Sequence, residues 1–567
     1  MRQLGLILLW PLLADAQSIP RYGVIITEIF ADPSPSVGMP AAEFIEIRNM
    51  QADTLSLEGW VLTDGNSRAT IPAGTRLAPG GLLILSSRSA QPDYARYGSA
   101  VGLSGFPSLD NEGDLISLLS SGGALMHAVQ YRNQWQENPF KAEGGWSLEM
   151  KDLLLPCAGA ENWTSSRDPA GGTPGRSNSV SAVLQAAGMP RLLGSFPLDS
   201  LRLLAFFDQG LDSAQAADPA YYQLDGGIGQ PVRVIIQNPL LTTAELHLRQ
   251  ALERGQIYHL QVAGIASCSG TVMPAMQSVN VGRPEPCLPG DLCINELLFN
   301  PGPGEPDYVE LLHCGSSAID LSTVFLGNVD PAGNPASLEP VSEQQRLLFP
   351  GDYLVITADT AALHRRFPDL DPLRLSGRKD MPSYPDEAGV VCLTDQQGRV
   401  LETVAYRDDW HFALVANREN VALERIRPTG PANDPGNWQS AASSANYGTP
   451  TRQNSQYYAF SPSARVFSLQ PTILSPDLDG LDDQLLIRYQ FPEPGYVCTI
   501  QLYDASARLI QHLVQQALCG TEGSFTWDGL SHKKSRLAAG LYVLVCEAFN
   551  LEGKRLREKQ TIVLAYR

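Results

Sequence analysis

The densest chemistry in this sequence is a run of four carboxylates in seven residues, Asp477, Asp479, Asp482 and Asp483, within Ser475-Pro-Asp-Leu-Asp-Gly-Leu-Asp-Asp483. Like charges this close repel one another unless water or a cation screens them, and hard oxygen ligands suit Ca2+. The run is not an EF-hand. Its glycine, Gly480, comes at the fourth position instead of the sixth, and no glutamate closes the loop at the twelfth. Two expectations compete: calcium held by Asp477, Asp479, Asp482 and Asp483, or an exposed polar turn ahead of the strand Leu485-Leu-Ile-Arg-Tyr489.

Other carboxylates occur in pairs. Glu43 with Glu46, and Asp307 with Glu310, have the composition of an acid and base couple. Residues three apart on a strand point to opposite faces, however, so these read as solvated or turn-anchoring groups of a sheet. Glu28 and Glu296 recur in matching contexts, which suits a role in the fold as readily as one in a site. The histidines are His127, His247, His259, His313, His364, His411, His512 and His532, and no two have the spacing of a helical or finger-type metal site. There is no Gly-x-Ser-x-Gly elbow. Gly226-Gly-Ile-Gly229 lacks the lysine of a phosphate loop and follows Asp225, a carboxylate where a phosphate would sit. Trp163 and Trp438 read as core plugs at a sandwich end, not as sugar platforms. Lys533, Lys534 and Arg536 read as a solvated loop, and Asn162-Trp-Thr164 has the spacing of a glycosylation sequon. No residue is assigned a catalytic role, and the chain is read as not an enzyme.

The elements that carry these residues repeat at long range. Val24-Ile-Ile-Thr-Glu28-Ile-Phe30 followed by Glu43-Phe-Ile-Glu46-Ile47 reappears as Cys293-Ile-Asn-Glu296-Leu-Leu298 followed by Asp307-Tyr-Val-Glu310-Leu311. Val129-Gln-Tyr131 recurs as Val404-Ala-Tyr406, Ser147-Leu-Glu149 as Ala422-Leu-Glu424, and Asn162-Trp163 as Asn437-Trp438, all at one offset (404 − 129 = 275). Both copies close on a Gly-Thr-Pro turn, at Gly172 and at Gly448. A period this long means a duplicated domain, since solenoid repeats run about 20 to 50 residues. Within each copy, short strands rich in Val, Ile and Leu alternate with Gly, Pro, Asn and Asp clusters, the pattern of a β-sandwich. Pro79-Gly-Gly81 and Pro350-Gly-Asp352 bring the chain through tight turns into Leu82-Leu-Ile-Leu85 and Tyr353-Leu-Val-Ile356.

These features resemble the lamin-tail domain. They are the opening strand with its Glu, the Glu-Phe-Ile-Glu strand, Leu57-Glu-Gly-Trp60-Val-Leu-Thr-Asp64, Leu109-Asp-Asn-Glu-Gly113-Asp114, and the Asn-Trp and Gly-Thr-Pro turns. The resemblance implies an immunoglobulin-like sandwich, which in bacteria occurs in exported multidomain proteins. The second copy departs at Leu321-Ser-Thr-Val-Phe325-Leu, where the Gly-Trp pair is absent, and it carries cysteines where the first has none. Between the copies, Phe207-Asp208 and Gly255-x-x-Tyr258-x-Leu260-x-Val262 resemble bacterial Ig-like modules. Near the end, Trp527-Asp-Gly529 with Gly540-x-Tyr542 is similar to the Ig-like fold of flagellar hook-capping proteins, and to C-terminal domains of cargo exported by type IX secretion. The acidic run itself is similar to the Ser-Pro-Asn-Gly-Asp-Gly-x-Asn-Asp motif of such gliding-type domains, with Asp477 and Asp482 in place of Asn and Leu478 in place of Gly.

Compartment follows from the start of the chain and from charge. Arg2, an apolar stretch from Leu4 to Leu13, and Ala14-Asp-Ala16 make a signal peptide, with a mature start at Gln17. That stretch is about half the length a membrane-spanning helix needs, and no other approaches it. The net charge of −19 repels a phosphate backbone and sets nucleic acid aside as a partner. Nine cysteines are too sparse for a disulfide scaffold, and their odd number leaves one unpaired within a single chain. They fall into three groups: Cys157 alone; Cys268, Cys287, Cys293, Cys314 and Cys392; and Cys498, Cys519 and Cys546. Pairs within a group are plausible, and the sequence does not choose between them.

The reading is an all-β chain of four tandem Ig-like β-sandwich domains after a signal peptide. The spans are 1–16 signal peptide, 17–180 first lamin-tail domain, 186–283 Ig-like domain, 287–456 second lamin-tail domain, and 460–567 hook-capping-like or secretion-type domain. The expected function is that of a non-catalytic, secreted or cell-surface protein in adhesion, scaffolding or ligand binding. Its partners would be envelope proteins or surface polysaccharide, with Ca2+ as the one candidate cofactor. The alternative is an accessory or substrate-binding component of an extracellular nuclease or phosphoesterase, or an unrecognised metal-dependent hydrolase.

Overall fold

The computed structural model describes residues 19–184, 189–458, 466–477 and 479–566. The signal peptide read at 1–16 lies outside them, as does Leu478 of the acidic run. The fold is all-β: among the described residues, the longest helix is the seven-residue Thr360–Arg366. The chain forms two compact units. One runs to Leu252 and takes in Tyr258–Val281; the other comprises Glu253–Ile257 and the chain from Gly282 onward.

The first unit opens with a six-stranded sheet in the order Trp163–Ser165, Leu148–Met150, Val24–Phe30, Phe44–Asn49, Leu82–Ser87, Ala100–Leu103. A four-stranded sheet accompanies it, built from Leu125–Arg132, Gly113–Leu119, Val61–Thr63 and Arg68–Thr70. Val24, Ile26, Ile45, Ile47, Trp60, Leu62, Ile116 and Leu118, from both sheets, share one apolar core with Trp163. Phe30, Phe44, Ile84 and Tyr94 form a second, smaller cluster. The Val24–Phe30 strand is therefore buried along its whole length, which explains why its sequence reads as a nearly continuous apolar run instead of an alternating one. The only interruption is Thr27-Glu28, and there the ladder to Phe44–Asn49 slips by a β-bulge between Ile26 and Glu28. Most of the stretch Leu192–Gly282 belongs to the same unit and forms sheets of four and three strands around Leu203, Phe207, Tyr222, Leu246 and Leu260.

The second unit repeats the first arrangement. Its six-stranded sheet runs Trp438–Ser440, Leu423–Arg425, Leu292–Leu298, Tyr308–His313, Tyr353–Thr357, Leu375–Gly377, which is the same order of equivalent strands. A bulge falls at the equivalent place, between Ile294 and Glu296. Trp438 is 3% exposed, as is Trp163. Each packs near a second indole, Trp410 at 6.2 Å and Trp135 at 6.4 Å between ring centroids. Both are core plugs. The chain then continues into sheets of three and five strands around Phe467, Tyr489, Trp527, Tyr542 and Ile562.

Two of the cysteines pair across the sequence groups. Cys157 is bonded to Cys268, with Cα atoms 6.3 Å apart across 111 residues, so the bridge joins two of the sequence groups instead of falling inside one. It ties the loop after the Leu148–Met150 strand to the segment that holds Leu192–Pro197 and Arg202–Phe207. Arg21 reinforces the same contact by donating to Pro239 O at 2.5 Å. The reason is spatial: both cysteines lie where the first two cores of the chain meet, which no sequence spacing records.

Candidate functional site

The bulge is what builds the most unusual feature of the molecule. A β-bulge breaks strict alternation and re-aims the side chain beside it, and here it places Glu28 in register with Glu46 on one neighbouring strand and with Glu149 on the other. The second copy does the same with Glu296, Glu310 and Glu424. All six carboxylates are fully buried. The expectation that Glu46 and Glu310 are solvated is therefore corrected; the turn-anchoring half of that expectation describes what they do.

Burying a carboxylate without partners costs several kcal/mol, so each must be protonated or supplied with donors. The donors come from the closing Gly-Thr-Pro turn. In the first copy the Thr173 amide donates to Glu28 Oε1 (2.7 Å) and its hydroxyl to Glu149 Oε1 (2.8 Å), while the Gly175 amide donates to Glu46 Oε2 (2.6 Å). Ser147 Oγ and Ser179 Oγ add bonds to Glu28 (2.6 Å) and Glu149 (2.8 Å). In the second copy the Thr449 amide and hydroxyl bind Glu296 (2.9 Å each), and the hydroxyl also binds Glu424 (2.7 Å). The Thr451 amide binds Glu310 (2.6 Å), and Ser455 Oγ and the Gln456 amide bind Glu424 (2.8 and 2.7 Å). Asn178 and Asn454 finish the clamp, each donating to two backbone carbonyls, those of Thr27 and Met150 and those of Asn295 and Arg425.

Burial pushes the carboxyl groups of Glu28, Glu46, Glu296, Glu310 and Glu424 up. Glu46 is raised to about 7 and Glu296 to about 8, while Glu28 and Glu310 go well above the usual range, with a neighbouring glutamate adding to burial for Glu28, Glu296 and Glu310. Such a perturbed cluster is what a general acid needs. These groups, however, are fully buried, and their oxygens are occupied by that loop together with Thr27, Ser147, Asn295 and Tyr308. Glu43, close to Glu46 in sequence, is spatially separate: its Oε2 accepts the Leu109 amide at 3.2 Å.

The acidic run is a different kind of structure. Asp477, Asp479 and Asp483 offer carboxylate oxygens within 4.8 Å of one another, whereas Asp482 is not in that group. Asp482 sits at φ 55° and accepts the Ser475 amide through its own carbonyl at 2.9 Å, so its backbone shapes the turn. The same carboxylates also cap local amides, Gly480 to Asp483 (2.8 Å) and Leu481 to Asp479 (2.8 Å). The three oxygens suit a hard cation, and the local hydrogen bonds suit a self-sufficient turn.

Two signals for the clamp stand in the sequence, the recurrence of Leu-Glu at Glu149 and Glu424 and that of Gly-Thr-Pro. That they meet Glu28 and Glu296 does not.

Among known families, the Lamin Tail Domain model matches residues 17–133. No curated protein matches the chain in sequence. Solved structures that resemble it include the N-terminal part of the bacterial S-layer protein SbsC, at 17% identity, 39% coverage of this chain, 44% of that chain and a TM-score of 0.16. The chain thus spans less than half of that fragment. Another is PorZ, a surface component of the type-IX secretion system of Porphyromonas gingivalis, at 10% identity, 88% and 74% coverage, and a TM-score of 0.17. A tetra-tandem repeat from the extending region of a large adhesion protein matches at 10% identity, 96% and 99% coverage, and a TM-score of 0.14.

Proposed function

We propose that this chain is a non-catalytic protein of the bacterial cell surface or extracellular medium, an array of four β-sandwich domains that works in adhesion, scaffolding or ligand binding. The observation that carries this reading is the glutamate clamp. The carboxylates best perturbed for acid and base chemistry are buried and hydrogen-bonded by the closing loop and neighbouring side chains in both copies. They serve the fold, and what each sandwich offers to a partner is the loops at its ends.

The net charge of −19 favours envelope proteins or surface polysaccharide over nucleic acid as the partner. Among the described residues, no helix is long and apolar enough to cross a membrane. Calcium at Asp477, Asp479 and Asp483 belongs to this proposal as a stiffener of the last sandwich, not as a catalyst.

A crosslinking pull-down from intact cells, with a tag just after Gln17, tests the proposal. Recovery of an envelope protein or surface polysaccharide supports it. Metal-dependent hydrolysis of DNA or a phosphoester by the purified chain overturns it in favour of the nuclease-associated alternative.

A further inference from the structure

The two lamin-tail-like copies differ at one place in a coordinated way. In the first, the register puts Ile25 on the opening strand, Met50 just past its neighbour, and His127 and Met150 beside them, with the Ile26 amide donating to His127 Nδ1 at 2.9 Å. In the second, the equivalent positions hold Cys293, Cys314, Glu402 and Arg425, and the Ile294 amide donates to Glu402 Oε2 at 2.5 Å. An apolar corner with a neutral histidine has become a thiol pair beside an ion pair. The Arg425 guanidinium, 2% exposed, binds Glu402 Oε1 at 2.9 Å, the Ile294 carbonyl at 3.1 Å and the Gly430 carbonyl at 2.6 Å.

The two sulfurs are 2.8 Å apart. Cys293 is buried at 3% exposure, whereas Cys314 is partly accessible at the end of the hairpin. We propose that Cys293 and Cys314 are a redox-active dithiol that closes to a disulfide by exchange with an external disulfide, with Cys314 as the attacking and Cys293 as the resolving sulfur. The Cys314 thiolate attacks one sulfur of the external disulfide, forming a mixed disulfide and releasing one thiolate. Cys293 then loses its proton and attacks Cys314 Sγ, which forms the internal bond and releases the second thiolate. Two electrons pass to the external disulfide, and the two protons end on the released thiols.

The surroundings support this order. The hydrogen bond from Cys293, with the Arg425 guanidinium adding to it, holds Cys314 below the ordinary thiol range, while the same contact and burial push Cys293 up. Thiolate character and access both select Cys314 as the sulfur that meets an outside reagent. Cys287, Cys392, Cys498, Cys519 and Cys546 are all buried and lack that access.

The test uses the purified full chain, reduced under native conditions and then exposed to oxidised glutathione, with non-reduced peptide mapping. The wild type is expected to yield a linked Cys293–Cys314 peptide, and before oxidation Cys314 should alkylate about tenfold faster than Cys293. C293S is expected to accumulate glutathione on Cys314, at about ten times the level the wild type retains, and C314S to gain none on Cys293. Folded wild type that keeps both thiols alkylatable after oxidation would overturn the proposal. So would a glutathione adduct that persists on wild-type Cys314 without resolution.

Discussion

The Thr173 hydroxyl donates to Glu149 Oε1 at 2.8 Å while its amide donates to Glu28 Oε1, so one turn residue bridges two buried carboxylates on adjacent strands. Thr449 repeats this between Glu296 and Glu424. The closing turn is thus a structural component of the central sheet in each copy.

Removing that hydroxyl leaves a buried acceptor unpaired. T173V and T449V are each expected to lose about 1–3 kcal/mol, the usual cost of an orphaned buried group. T173S and T449S, which keep the donor, should lose less. Chemical denaturation of the full chain reads the difference. Equal losses for the Val and Ser variants would mean that the methyl group matters and the bridge does not.

The clamp also makes stability depend on pH. Burial first, then the Glu424 carboxylate, raise the folded value of Glu296 to about 8, and burial raises Glu46 to about 7, from an ordinary 4.5; the Gly175 amide and the Thr27 hydroxyl, ahead of Arg48, partly offset the shift of Glu46. The folded chain therefore holds these protons more tightly than the unfolded chain. Their stabilising contribution is whole below the unfolded value and is lost progressively as the pH rises from there through 7 to 8. The melting temperature should fall across that window. E296Q, a permanent mimic of the protonated form, should flatten its share of the fall. A wild-type melting temperature that climbs steadily from mildly acidic to mildly basic pH would contradict the assignment.

The Cys157–Cys268 bridge spans 111 residues, and in the chain-entropy model a loop of that length stabilises by about 5 kcal/mol. C157S and C268S should each lower the denaturation midpoint, and the double variant should be no worse than either single one. Additive losses would show that the cysteines act separately.

Calcium is expected to raise the melting temperature of the full chain through Asp477, Asp479 and Asp483, and a chelator to reverse it. D479N and D483N should abolish the response, whereas D482N, outside the group, should retain it. No response to either calcium or chelator would identify the run as a self-capped turn.

Much of the architecture is legible in the residues themselves. Branched apolar runs punctuated by Gly, Pro, Asn and Asp dictate strands and turns locally, and the offset shared by Glu149 and Glu424, by Trp163 and Trp438, and by Tyr131 and Tyr406 exposes the duplication. Those signals are short-range or self-similar, so sequence alone suffices to read them. The clamp is not of that kind. Glu28 meets Glu149 and Thr173 only because a bulge shifts the phase of one strand and antiparallel pairing brings distant segments into register. Cys157 finds Cys268, and Cys293 faces Cys314, for the same reason. Residue type and periodicity determine which segments become strands; contacts between distant residues depend on register and packing, which only the tertiary structure decides.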